Sequence, residues 1–142
     1  MRVLMCPPSY YGIEYEINPW MRCSRPSNYR LAREQWQTLY ELLRDRLHVE
    51  VSLIEPGPGL PDMVFTANAG FVWEKKFIVG NFRHDVRRGE AAYFENWFAS
   101  RNYEILIFPN RTTLRAKATC SCTRTSCLRV ILSVLPLTLT KQ

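Results

Sequence analysis

Apolar positions along the first 110 residues recur with two periods, and the switch between them outlines an alternating order of strands and helices. Arg2–Cys6 reads as a first strand and residues 7–26 as a long loop. Ser27 is placed to cap a helix running to about Leu47, with Leu31, Trp36, Leu39, Leu42 and Leu43 as its apolar face. Val49–Ile54 is then a strand. Ala69–Trp73 and Phe77–Gly80 form a hairpin around Glu74-Lys75-Lys76, Arg88–Ser100 a second helix, and Tyr103–Phe108 a further strand. The segment Leu47–Ile54, which follows the first helix, is echoed by Asn102–Phe108 after the second, as in a repeat architecture. Stacked repeats bury their faces on neighbours, so two such units leave apolar surface to be covered.

Between the second strand and the hairpin, Glu55-Pro56-Gly57-Pro58-Gly59-Leu60-Pro61 is neither helix nor ladder strand, because its prolines lack donors and its glycines turn freely. Asp62 therefore emerges from a stiff loop into the apolar strand expected at Met63-Val64-Phe65. A carboxylate held this way pairs bidentately with a planar guanidinium, a contact of about 1.5–3 kcal/mol when shielded from water. The competing reading of the loop alone is a turn cap, which Asp often provides. The aromatic-rich loop Ser9–Met21 has two readings of equal weight: a lid closing over a ligand, or Tyr11, Tyr15 and Trp20 simply packed against the body.

Three separated motifs narrow the choice. Met5-Cys6-Pro7-Pro8, Glu14-Tyr15-Glu16-Ile17-Asn18-Pro19-Trp20-Met21 and Pro61-Asp62-Met63-Val64-Phe65-Thr66-Ala67-Asn68-Ala69-Gly70 resemble, in this order, the amidinotransferase and dimethylarginine dimethylaminohydrolase family of guanidino-modifying enzymes. The likeness runs from about Arg2 to Phe108. It implies an α/β fold, with residues 1–110 as about two ββαβ units of a five-bladed α/β propeller (pentein-like). It also implies a cysteine that attacks the guanidinium carbon, assisted by a histidine and an acidic residue, with no cofactor. Carried over by position, Asp62 resembles the guanidinium-binding carboxylate and Arg87, in Arg87-Arg88-Gly89-Glu90, the arginine that holds the substrate's carboxylate. Phe65 would wall the pocket, and Asn68 stands where some members have an acidic residue. The family's histidine and cysteine lie beyond the matching stretch, so no catalytic residue is assigned. Of this chain's own thiols, Cys6 reads as an inert strand residue and Cys23, beside Arg22 and Arg25, as the more reactive one. His48 reads as a surface residue and His84 as a solvated loop residue near Arg87.

Charge sharpens the boundary near Asn110. The chain carries 19 basic and 13 acidic residues, a net charge of +6. Residues 111–142 hold six of the basic residues, none of the acidic ones and no aromatic residue, so the first 110 residues are balanced. A neutral body with an aromatic-free tail points to no nucleic-acid partner, and no apolar run or basic leader points to a membrane. The expected partner is an arginine-like small molecule and the expected location the cytoplasm.

The tail departs from every pattern before it, with seven threonines, Cys120-Ser121-Cys122 and Cys127. A metal site is one reading, although the cysteine spacing is poor for zinc. The genetic code offers another. Thr113–Thr119, written ACT TTG AGG GCG AAG GCG ACG, regroups by one base into TTT GAG GGC GAA GGC GAC, or Phe-Glu-Gly-Glu-Gly-Asp. The residues through Val130 then permit Val-Leu-Leu-Tyr-Glu-Asp-Lys-Leu-Phe-Ala-Gly. The first peptide resembles the family's acidic Phe-Glu-Gly-x-Gly-Asp loop, and the second parallels the hairpin Ala69–Gly80. The expectation is an out-of-frame or disordered tail on a fragment of a guanidino hydrolase or amidinotransferase, inactive as written. The alternatives are a short basic metal- or nucleic-acid-binding protein, or a non-catalytic partner of a full-length relative.

Overall fold

A computed structural model describes residues 2–107 and the backbone of residues 128–130. Strand β1 (Arg2–Met5) sends its side chains alternately into two apolar clusters. Val3 and Met5 meet Trp36, Leu43 and Val49, whereas Leu4 and the following Cys6 meet the cluster built on Phe77, Phe94 and Phe98. A strand covered on both faces reads as a continuous apolar run, and Val-Leu-Met-Cys is one.

Helix α1 (Tyr29–Glu41) starts one residue later than expected. Asn28, not Ser27, is the N-cap, its side chain accepting from Leu31 N at 3.0 Å. The helix continues into a π turn over Leu42–Arg46, where Leu47 N donates to Leu42 O at 3.0 Å. Ala32, Trp36 and Leu43 are buried, but Leu42 is 42% exposed. Leu42 lies about 120° around the helix from Trp36, off the stripe that α1 buries. His48 follows in the left-handed region (φ 49°), turning the chain into β2 (Glu50–Leu53), which pairs in parallel with β1.

The second unit is fully formed in the order β-β-α-β. Strands β3 (Gly70–Trp73) and β4 (Lys76–Val79) make an antiparallel hairpin, with Glu74 (φ 51°) in its turn. Helix α2 (Asp85–Ala99) follows, and β5 (Glu104–Leu106) pairs in parallel with β4. α2 begins three residues earlier than expected, placing Arg87 in its first turn and Glu90 one turn later. The Trp97 indole N–H donates to Leu53 O at 2.9 Å, tying the second unit to the first.

β1 and β2 repeat the β4–β5 pairing, each pair parallel and joined through a helix. The other edge of β1 pairs in parallel with β6 (Leu128–Val130). The rest of the tail, with Cys120, Cys122 and Cys127, lies outside the described residues, as does the metal site considered there. Among the described residues no cluster of metal-ligating side chains occurs, and no helix is long and apolar enough to cross a membrane.

Candidate functional site

Met63-Val64-Phe65 is not a strand. Residues Pro61–Val64 and Thr66–Asn68 form two successive 3-10 turns, closed by Met63 N to Leu60 O (3.2 Å), Phe65 N to Asp62 O (3.0 Å) and Asn68 N to Phe65 O (2.9 Å). Pro61 opens the first turn, where its fixed φ suits the turn and its missing N–H is not needed. Local turns thus override an apolar stretch that satisfies strand patterning. They also alter which side chains meet, because residues three apart stack on one face of a 3-10 turn. Asp62, Phe65 and Asn68 therefore share a side. The turn is anchored below by the Thr66 hydroxyl, which donates to Leu4 O at 3.0 Å, and by Met63, which is fully buried.

Over that side lies a cavity of about 320 Å³, lined by Asp62, Phe65, Asn68 and Arg87 beneath, and by the loop residues Tyr11 to Met21 above. All four residues selected from the sequence meet there. The Tyr11 ring stands edge-on to Phe65 at 6.2 Å, so the loop packs against the body and roofs the cavity at once. Asn18 folds the loop on itself, its side-chain oxygen accepting from Trp20 N (3.0 Å) and Met21 N (3.1 Å). Trp20 is left 77% exposed.

The polar floor is a buried charge cluster. Glu90, which sequence reasoning missed, is 1% exposed and grips Arg87 as a fork, with Nε to Oε1 at 2.7 Å and Nη2 to Oε2 at 2.9 Å. Arg87 Nε also lies 3.6 Å from the Asp62 carboxylate, while Nη2 donates to Asp62 O and Nη1 to Asn68 Oδ1, both at 3.3 Å. The guanidinium carbon lies over the Phe82 ring, 4.8 Å from its centroid. Four of the five Arg87 N–H groups are thus engaged among the described residues, and a ligand carboxylate meets an arginine already held by two internal acids. The signal for Glu90 was its spacing: once α2 starts at Asp85, residues 87 and 90 are helix neighbours.

Burial raises the acidities' midpoints on both carboxyls. Asp62 and Glu90 each titrate above the ordinary carboxylate range because desolvation outweighs the attraction of Arg87. Arg87 is itself pushed upward, since its bonds and charge pairing with Glu90 and Asp62 overcome its burial. The Tyr15 hydroxyl is buried close enough to Asp62 for burial and that charge to push its pKa well up, yet among the described residues it completes no hydrogen bond of good geometry. Cys6, fully buried below, is pushed up to about 12 by burial and by Glu90, as expected of an inert thiol. Cys23 is exposed in the loop, with its backbone N–H on Glu16 Oε1 at 2.8 Å. His84 immediately precedes α2 without capping it through its side chain, and His48 is exposed; neither lines the cavity.

Comparison with known proteins shows the family. The family model described as N,N dimethylarginine dimethylhydrolase, eukaryotic, matches residues 15–115. The chain belongs to the dimethylarginine dimethylaminohydrolase family. It is 44% identical over 110 residues to the bifunctional arginine dihydrolase/ornithine cyclodeaminase AgrE of Nostoc sp., covering 77% of this chain and 15% of that protein. Over 102 residues it is 41% identical to the N(G),N(G)-dimethylarginine dimethylaminohydrolase of Mycobacterium tuberculosis, covering 72% of this chain and 33% of that one. A structure of an AgrE variant in complex with L-arginine superimposes with a TM-score of 0.74 and 42% identity, over 80% of this chain and 17% of the other. This family member therefore spans a minor part of the relatives it matches.

Gly80 shows how the hairpin fixes the site. Its N–H donates to Ala69 O at 2.7 Å, and an added Cβ would lie 2.8 Å from both Ala69 O and Asn68 O. Gly80→Ala is expected to cost about 1–3 kcal/mol and to displace Asn68. Urea denaturation and the Asn68 amide shift check this; an unmoved Asn68 amide would refute the coupling.

Proposed function

We propose that this chain is the substrate-recognition part of a guanidino hydrolase of the dimethylarginine dimethylaminohydrolase family. The observation that carries the reading is the meeting of Asp62, Phe65, Asn68 and Arg87 around one roofed cavity. The cluster of two acids and one base leaves a surplus negative charge for a cationic group, and Phe65 with the loop aromatics supplies apolar walls for an alkyl stem. Asp62 faces the guanidinium. Arg87 offers its remaining Nη1 hydrogen to the ligand's carboxylate, and Asn68 bridges the two ends.

In the whole enzyme, a cysteine outside the matching stretch attacks the guanidinium carbon of arginine or a methylated arginine, and water resolves the covalent intermediate. The names of the relatives favour hydrolysis over amidino transfer. In this reading residues 1–110 are about two ββαβ units of a five-bladed propeller in the cytoplasm, of which the second is complete and the first is a βαβ among the described residues, the tail is out-of-frame, and the 142-residue product binds without turning over.

The test has two arms. The nucleotide sequence across codons 105–115 should contain a single-base insertion or deletion whose reversal restores the acidic loop. The corrected protein should release citrulline with ammonia or a methylamine, or ornithine with ammonia and carbon dioxide, from arginine or a methylated arginine, whereas the 142-residue chain yields none. Asp62→Ala should abolish that turnover by at least about 100-fold, the scale of a lost charge-assisted contact of about 3 kcal/mol. Unchanged turnover in the variant would remove Asp62 from its role, and robust turnover by the 142-residue chain would sink the fragment reading.

A further inference from the structure

The charges around the cavity do not balance. Among the described residues Arg87 is the single base facing Asp62 and Glu90, whose side chains are 5% and 1% exposed. The other titratable groups of the described residues against the cluster are Cys6 from the end of β1 and Tyr11 and Tyr15 from the roofing loop. All three are raised by burial and by the acids, so they stay neutral near neutral pH. Asn68 and the Phe82 ring complete the surroundings without charge. A buried acid without a countercharge is costly and takes up a proton, or draws in a cation.

We infer that the Asp62–Arg87–Glu90 cluster is a proton-for-cation exchange site: it holds a proton when empty and gives it up when a ligand guanidinium supplies the missing positive charge, with Glu90 as the positioning residue. The inference rests on the reading of this cavity as a guanidinium site. The geometry assigns the parts. Glu90 is locked in a two-bond fork with Arg87, whereas Asp62 lies 3.6 Å from Nε and lines the cavity, so Asp62 is the carboxyl that carries the proton. On binding, its O–H bond breaks, the proton leaves to buffer, and the carboxylate pairs with the ligand cation. Glu90 acts through Arg87: its charge uses up the arginine's, and so leaves Asp62 uncompensated.

The sign follows. Because the empty site binds a proton and the filled one does not, affinity for arginine should fall as the pH drops, by up to about tenfold per unit, through a window above the ordinary carboxylate range near 4. Calorimetric titration of the 142-residue chain with L-arginine, in buffers of differing ionisation enthalpy at about pH 5.5 and about pH 8, reads the proton directly. More proton release per arginine at the lower pH than at the higher is expected. In Glu90→Gln, Arg87 is left to neutralise Asp62, so release should vanish even where binding persists; a merely structural role would weaken binding and leave the proton count intact. Asp62→Asn removes the same proton from the other side and serves if Glu90→Gln fails to fold. Binding without release at either pH would overturn the exchange and leave the cavity's assignment standing. No binding of arginine or of guanidinium ion would overturn both.

Discussion

Replacing Arg87 with methionine should destabilise the chain by about 3–5 kcal/mol, the range for removing one partner of a buried ion pair. The effect is large because two acids depend on the one base. Both Glu90 bonds, at 2.7 and 2.9 Å, and the 3.6 Å contact with Asp62 vanish together, stranding carboxyls that are nearly without solvent. Methionine fills the stem's volume, so the loss is electrostatic and not a cavity effect. Its pH dependence is diagnostic. Asp62 and Glu90 are already raised by burial against the lowering influence of Arg87, and without that influence they rise further. A carboxyl whose folded pKa lies above its unfolded value contributes stability below that unfolded value and loses it as pH rises through the folded one. The variant should therefore be least stable at and above neutral pH and recover as the solution is acidified. Urea midpoints across this range check the outcome; a loss below about 1 kcal/mol that does not vary with pH would show that Arg87 is braced from elsewhere. Arg87→Lys should fall between, keeping the charge without the fork.

The elements were legible where pattern and local chemistry agree. The alternation in β3 and β4, the Tyr29–Glu41 helix and the second helix-to-strand passage into β5 follow from periodicity, because each buries one stripe against one cluster. They were obscured where short-range bonding competes with patterning. Met63-Val64-Phe65 carries strand-forming residues, but Pro61 and the bonds closed at Phe65 and Asn68 turn it into 3-10 coil. The site was legible as a set of residues and not as a network. Asp62, Phe65 and Asn68 were found through their motif, whereas Glu90 hid because a glutamate in an amphipathic helix reads as solvated. It is buried in a two-bond fork with Arg87, three residues earlier. Asp62 and Arg87, expected as two ends of a ligand clamp, meet each other as well.

Phe98→Ala is the complementary case, with a comparable stability loss and a different consequence for the site. Phe98 is fully buried, stacked on Phe77 at 3.9 Å between ring centroids and flanked edge-on by Trp97 at 4.9 Å and Tyr103 at 5.1 Å. Truncation leaves a cavity between α2, β4 and the start of β5 that these rigid rings fill poorly, so about 3–5 kcal/mol should be lost. Neither Phe98 nor its ring partners line the ligand cavity, and the 3-10 turns that do meet the Phe98 cluster through Met63 but are held as well by the Thr66 hydroxyl on Leu4 O. The variant should therefore unfold at lower urea but, at temperatures where it stays folded, bind arginine within about threefold of the parent chain, a shift below about 0.7 kcal/mol. Arg87→Met should lose both properties. If Phe98→Ala instead abolished arginine binding while still folded, the core beneath α2 would be holding Arg87 and Glu90 in place, and the site could not be treated as a unit braced by its own charges.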